Sequence, residues 1–102
     1  MKKSEREIIY QGALDKWGER AQIEMAQEES TELALACRKI IRQKTESRLN
    51  DLASEIADVE IMIEQLKYML PTIGNVVEAQ KGFKLHRLEE RVFNQKKIKL
   101  TK

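Results

Sequence analysis

The sequence predicts an all-α chain built around two long, antiparallel central helices. Three observations carry this. Four glycines and one proline in 102 residues are too few punctuating residues for a turn-rich sandwich or barrel. Some fifty consecutive residues between Gly18 and Pro71 contain neither. Within that stretch the apolar residues recur at 3–4 spacing, the period of one helix face. At about 100–200 residues per domain the length admits one domain. The expected division is a single helical domain over 1–95 and a basic, frayed tail over 96–102.

The first helix is expected over Ser4–Trp17, where Ile8, Ile9, Leu14 and Trp17 fall at partly helical spacing and Gly18 breaks the chain. The second follows with Ile23, Ala26, Ser30, Leu33, Cys37 and Ile40 as its seam. Arg42–Arg48 has no apolar residue and reads as a polar connector between antiparallel neighbours. Asn50 is then the expected N-cap of the third helix, Leu49, Leu52, Ile56, Val59, Ile63, Leu66 and Leu70 its seam, and Pro71 its stop. A fourth helix is expected over Val76–Phe93, with Leu85, Leu88 and Val92 at 3–4 spacing. The architecture is thus of the four-helix-bundle type. The third helix is apolar around much of its girth, adding Ala53, Ala57, Ile61, Met62 and Met69 to its seam, and a chain this short buries only roughly 60–70% of its unfolded surface. An oligomer is therefore expected, the alternative being that these residues pack on the first and fourth helices.

A single cysteine, Cys37, excludes an internal disulfide and a thiolate zinc site, and its seam position reads as a small core residue. The N-terminal residues lack the apolar stretch of a signal peptide, and no apolar run approaches the about 18 residues of a membrane span. A soluble, cytoplasmic protein without membrane attachment is the expectation. The formal net charge of +2 hides a split: residues 1–80 carry 11 basic and 15 acidic side chains, residues 81–102 carry 8 and 2. An acidic body carries a basic end.

The acids are patterned. Glu28, Glu29 and Glu32 form E-E-x-x-E on the second helix, and Glu55 and Asp58 form E-x-x-D on the third. Residues three or four apart share a helix face, so if the seams pack antiparallel, Glu29, Glu32, Glu55 and Asp58 converge on one flank. Two carboxylates about 5 Å apart repel by on the order of 3 kcal/mol at an effective dielectric near 20. Either some stay protonated or a divalent cation sits among them. Oxygen ligands without Cys or His favour Mg²⁺ or Mn²⁺, and Mg²⁺ commonly completes its shell with substrate phosphates. The alternative is a solvated acidic face, since Glu24 with Glu28 and Glu60 with Glu64 show the same spacing without assigned chemistry.

Taken in order, Trp17-Gly18-Glu19-Arg20-Ala21-Gln22, Glu28-Glu29-x-x-Glu32-Leu33 and Glu55-Ile56-Ala57-Asp58-Val59, with 22 residues between the two acidic motifs, resemble the MazG-like all-α nucleoside triphosphate pyrophosphohydrolases. The match covers about half the chain. The resemblance implies a helical bundle, working as a homodimer or homotetramer, that presents its acids to Mg²⁺ and hydrolyses nucleoside triphosphates to monophosphate and pyrophosphate in nucleotide-pool house-cleaning. Carried over by position, Glu29, Glu32, Glu55 and Asp58 would be metal ligands. Glu28 would support catalysis or position water, and Glu29 would share the catalytic role. No Ser-His or Cys-His pair is needed, and His86, the one histidine, reads as an exposed helix residue.

Lys84, Arg87 and Arg91 lie at 3–4 spacing, and small members of the family end in a similar Lys-Leu-x-Arg-Leu stretch. On that resemblance Lys84 and Arg87 would contact the β- and γ-phosphates, the alternative being a solvated face. The basic end has only Phe83 and Phe93 as aromatics and matches no groove-reading motif, so nucleic acid is not the expected partner. Trp17 and Gln22, at the entrance to the second helix, are candidates for the base or sugar, although a tryptophan at a helix junction is more often a core residue. The competing function is a catalytically silent helical interaction or nucleic-acid-binding protein whose basic end is the working part.

Overall fold

The computed structural model describes residues 1–94, and over these the chain is all-α without strands. Its elements are α1 (Lys3–Trp17), α2 (Glu19–Arg42), α3 (Glu46–Met69) and α4 (Ile73–Glu89), followed by a π-helical turn, Glu90–Asn94. The expected frayed tail, 96–102, lies outside the described residues. No described helix is long and apolar enough to cross a membrane. The chain divides into two compact units, the first Met1–Leu70 and the second beginning at Pro71.

In the first unit a single residue makes the α1–α2 corner. Gly18 has φ 87° and ψ 163°, a conformation essentially confined to glycine. Its N–H closes α1 on the Leu14 carbonyl, and its carbonyl accepts the N–H of Gln22 to open α2. The α2–α3 link is shorter than the expected Arg42–Arg48 connector: only residues 43–45 are non-helical. Thr45, not Asn50, is the N-cap, its hydroxyl accepting the Arg48 N–H at 3.2 Å. A polar segment at a helix start is the exposed first turn rather than a loop, and Glu46 there complements the helix dipole. The Arg48 guanidinium reaches back to the Lys39 and Gln43 carbonyls at 2.8 and 3.4 Å, adding a second donor to the Lys39 carbonyl, which already accepts the Gln43 N–H, and tying the start of α3 to the end of α2.

So short a link makes α2 and α3 antiparallel, and their contact is the most extensive in the unit. Its stripe on α2 is Gln22, Ala26, Glu29, Leu33, Ala36 and Ile40, with Gln22 and Ala36 buried and the others half-buried. Three expected seam residues stay in place; Ile23, Ser30 and Cys37 give way to their preceding neighbours and are exposed. The same displacement occurs on α3. Leu52, Val59, Leu66 and Leu70 remain half-buried, whereas Glu55 and Met62 take the inward positions expected for Ile56 and Ile63. Apolar periodicity marks the most hydrophobic rows, but each contact row is turned part-way towards the preceding residues, which brings Gln22, Glu29 and Glu55 inward. Ile23, Leu49, Ile56, Ile61 and Ile63 are left 41–46% exposed.

Tyr10 holds α1 to α3. It is buried, and its hydroxyl donates to Glu64 Oε1 at 2.8 Å, where Arg6 Nε also lies at 3.5 Å. Burial first, then Glu64, raises the phenol above its ordinary pKa. The Tyr68 hydroxyl donates to Gln11, and the two tyrosine rings lie 6.3 Å apart. Of the residues read at partly helical spacing on α1, Ile8, Ile9 and Trp17 are 72%, 54% and 59% exposed, so Trp17 does not take the core position read for it. In the second unit α4 begins at Ile73, three residues before the expected start. Phe83, Leu85, Leu88 and Val92 are exposed, and His86 is an exposed helix residue as expected, facing Glu89 and Glu90 at 3.4 and 3.5 Å.

The cap assignment has a direct consequence. Thr45→Ala lowers stability in urea unfolding by about 1 kcal/mol, whereas Asn50→Ala, an exposed substitution inside α3, leaves the midpoint within about 0.5 kcal/mol of wild type.

Candidate metal centre and adjoining cavity

The displaced stripes put carboxylates where the helices meet. Glu29 from α2 faces Glu55 and Asp58 from α3, and one carboxylate oxygen of each lies within 4.8 Å of the others. Glu29 and Glu55 are half-buried, and Glu55 Oε2 is inaccessible and has no hydrogen-bond partner among the described residues. A buried acceptor left unpaired costs about 1–3 kcal/mol, so a group able to bind it is favoured there. Glu29 is held above the ordinary carboxylate pKa by partial burial, the charges of Asp58 and Glu55, a hydrogen bond with Asp58 and the charge of Glu32. Three oxygen donors with mutual repulsion and an unpaired oxygen fit a hard divalent cation such as Mg²⁺ or Mn²⁺.

The other acids stand outside this cluster. Glu32, one turn along α2, is exposed and acts on Glu29 through its charge; Glu28 is exposed beside it. The cluster thus contains three of the four acids that the sequence pattern brings together.

Further along the same helix pair, a cavity of about 400 Å³ opens between α1, α2 and α3, within the size range of ligand pockets. Tyr10 and Trp17 line it from α1, Gln22 and Met25 from α2, Met62 and Gln65 from α3. Trp17 therefore joins Gln22 at one cavity and is no core residue; Lys16 Nζ lies 5.2 Å from its ring. Seven residues separate Gln22 from Glu29 and Asp58 from Gln65, a rise of about 10 Å along each helix. The cavity and the carboxylates therefore lie at successive levels of one helix pair. Lys84 and Arg87 are exposed on α4, in the second unit.

Gln65 and Met62 escaped the sequence reading, which treated α3 as a row of aliphatic side chains. A signal was present. Gln65 follows Asp58 by the same seven residues by which Gln22 precedes Glu29, and in an antiparallel pair those offsets meet. Comparison of the chain with protein-family models, curated proteins and solved structures finds no match.

The raised pKa of Glu29 gives a signed pH dependence. The folded state holds this proton more tightly than the unfolded state, so the group favours folding below the unfolded carboxylate range and that contribution is lost as pH rises through the raised folded value. Glu29→Gln therefore stabilises the cation-free protein at pH 7, and the gain fades towards about pH 4. Urea unfolding with EDTA present checks this; a gain that grows as pH falls contradicts it.

Proposed function

We propose that the chain is a Mg²⁺-dependent nucleoside triphosphate pyrophosphohydrolase of the MazG-like type, acting on the nucleotide pool of the cytoplasm as a homodimer or homotetramer. One observation carries the reading: Glu29, Glu55 and Asp58 converge with a buried oxygen that has no hydrogen-bond partner among the described residues, on the same helix pair as a largely apolar cavity. A cation-binding end and a cavity with neutral walls match the two ends of a nucleotide, its phosphates and its base. The resemblance of the acidic motifs to that family supports the same reading.

In this reading Glu29, Glu55 and Asp58 hold the ion. Bound Mg²⁺ supplies Lewis acidity towards water and phosphate oxygens, which offsets the charge developing on the departing pyrophosphate. Glu29, held above the ordinary carboxylate pKa by partial burial and its acidic neighbours, would be relieved of that repulsion by a bound cation. Glu28 and Glu32 add negative potential beside the ligands, with Glu28 as the group that orients water. Trp17 and Gln22 border the base, with the sugar spanning the stretch between cavity and carboxylates. The phosphate-contact role of Lys84 and Arg87 rests on the family resemblance alone. Self-association is supported by the exposed aliphatic row Ile23, Leu49, Ile56 and Ile63, which a second copy of the chain would cover.

Incubation with ribo- and deoxyribonucleoside triphosphates, with and without Mg²⁺, tests the activity. Monophosphate and pyrophosphate are expected in equal amounts and only with the cation. Glu55→Gln and Asp58→Asn each lower turnover at least about 100-fold while the far-ultraviolet dichroism stays helical. No release from any nucleotide overturns the proposal and favours a silent interaction protein instead.

A further inference from the structure

Gln65 is 8% exposed. Its Nε2 donates to Met62 Sδ at 3.3 Å, and its Oε1 is buried without a hydrogen-bond partner among the described residues. The orientation follows from the chemistry of the neighbour: a thioether sulfur accepts and never donates, so the amide nitrogen turns towards Met62 and the oxygen is left over. Buried acceptors of this kind call for an explanation, and here the side chain borders a cavity. None of the residues lining that cavity is charged. Trp17, Met25 and Met62 offer broad apolar surfaces, and Gln22, 5% exposed, adds a second neutral amide. The chemistry that satisfies these walls is a planar, uncharged ring with an N–H donor on its edge.

We infer that Gln65 is a specificity-determining residue for the base, accepting through Oε1 an exocyclic amine or ring N–H of the nucleotide. This inference rests on the nucleotide reading of this helix pair. The last torsion of a glutamine side chain is broad, so the amide turns as a unit to bring Oε1 to a donor in the cavity, giving up the weak Nε2–Met62 Sδ hydrogen bond in exchange. A ring that lacks the donor leaves the acceptor unpaired and is bound more weakly for that reason.

Trp17 is the single tryptophan and lines the cavity, so its fluorescence reports occupancy without turnover. The full-length protein with Mg²⁺ is titrated with the monophosphates of cytosine, uracil and 2-pyrimidinone, and of adenine and unsubstituted purine, with calorimetry as a second readout. The 2-pyrimidinone and unsubstituted purine rings carry no edge N–H, and the cytosine and uracil arms separate an amine donor from a ring N–H. At least one donor-bearing base binds about tenfold tighter than its donorless counterpart. Gln65→Met abolishes that difference, while Gln65→Glu, which keeps an acceptor, retains a preference. Equal binding of donor-bearing and donorless rings by wild type, or an unchanged preference in folded Gln65→Met, overturns the role of Gln65. If turnover of triphosphates persists alongside either result, the enzyme reading stands; absence of both binding and turnover removes both.

Discussion

The packing of α2 against α3 is governed by one constraint: the row of side chains between them includes carboxylates that repel one another. Glu29, Glu55 and Asp58 stand within 4.8 Å because both helices turn to the contact a row that mixes polar with apolar side chains, rather than their most hydrophobic one. A three-residue link, the Thr45 cap and the Arg48 contacts to the end of α2 set the register that brings the acids opposite each other. Ala26 and Ala36 on the facing row, half-buried and buried, keep side-chain bulk low one turn or two from Glu29. Stability is given up in return, since no large side chain in the described unit is fully buried and the strongest aliphatic rows remain half in solvent.

That arrangement explains which parts of the structure the sequence made legible. Helix number and the breaks at Gly18 and Pro71 follow from backbone chemistry, which acts locally. The register of the seams does not. Ile23, Cys37, Ile56 and Ile63 score as core by hydrophobicity, yet the buried positions belong to Gln22, Ala36, Glu55 and Met62. Periodicity identifies a face only to within the angle between adjacent residues, and a contact row that includes polar groups departs from the most apolar one. The start of α3 was misplaced for a related reason: a first turn exposed to water needs no apolar residue, so its composition resembles a loop.

The candidate site was legible through the acids and less so through the cavity. E-E-x-x-E and E-x-x-D place their carboxylates by helical geometry alone, and three of the four converge. Trp17 and Gln22 were found because they sit at a helix entrance. Gln65 became visible only when the antiparallel register paired it with Gln22, a long-range relation that no local window contains. Cavity and carboxylates draw on the same two helices, so a change in the α2–α3 register would displace both together. Mutual repulsion among the acids, and a buried amide oxygen with no hydrogen-bond partner among the described residues, are costs that ligands would offset at two levels of one helix pair.

The central claim is that the α2–α3 carboxylates form a divalent-cation site. Titration of the nucleotide-free protein with Mn²⁺, followed by electron paramagnetic resonance, tests it most directly. The account predicts saturable loss of the free-ion signal in wild type, competition by Mg²⁺, and loss of that binding in folded Glu55→Gln. Mn²⁺ that stays free in the presence of wild type, or that binds Glu55→Gln equally well, contradicts it.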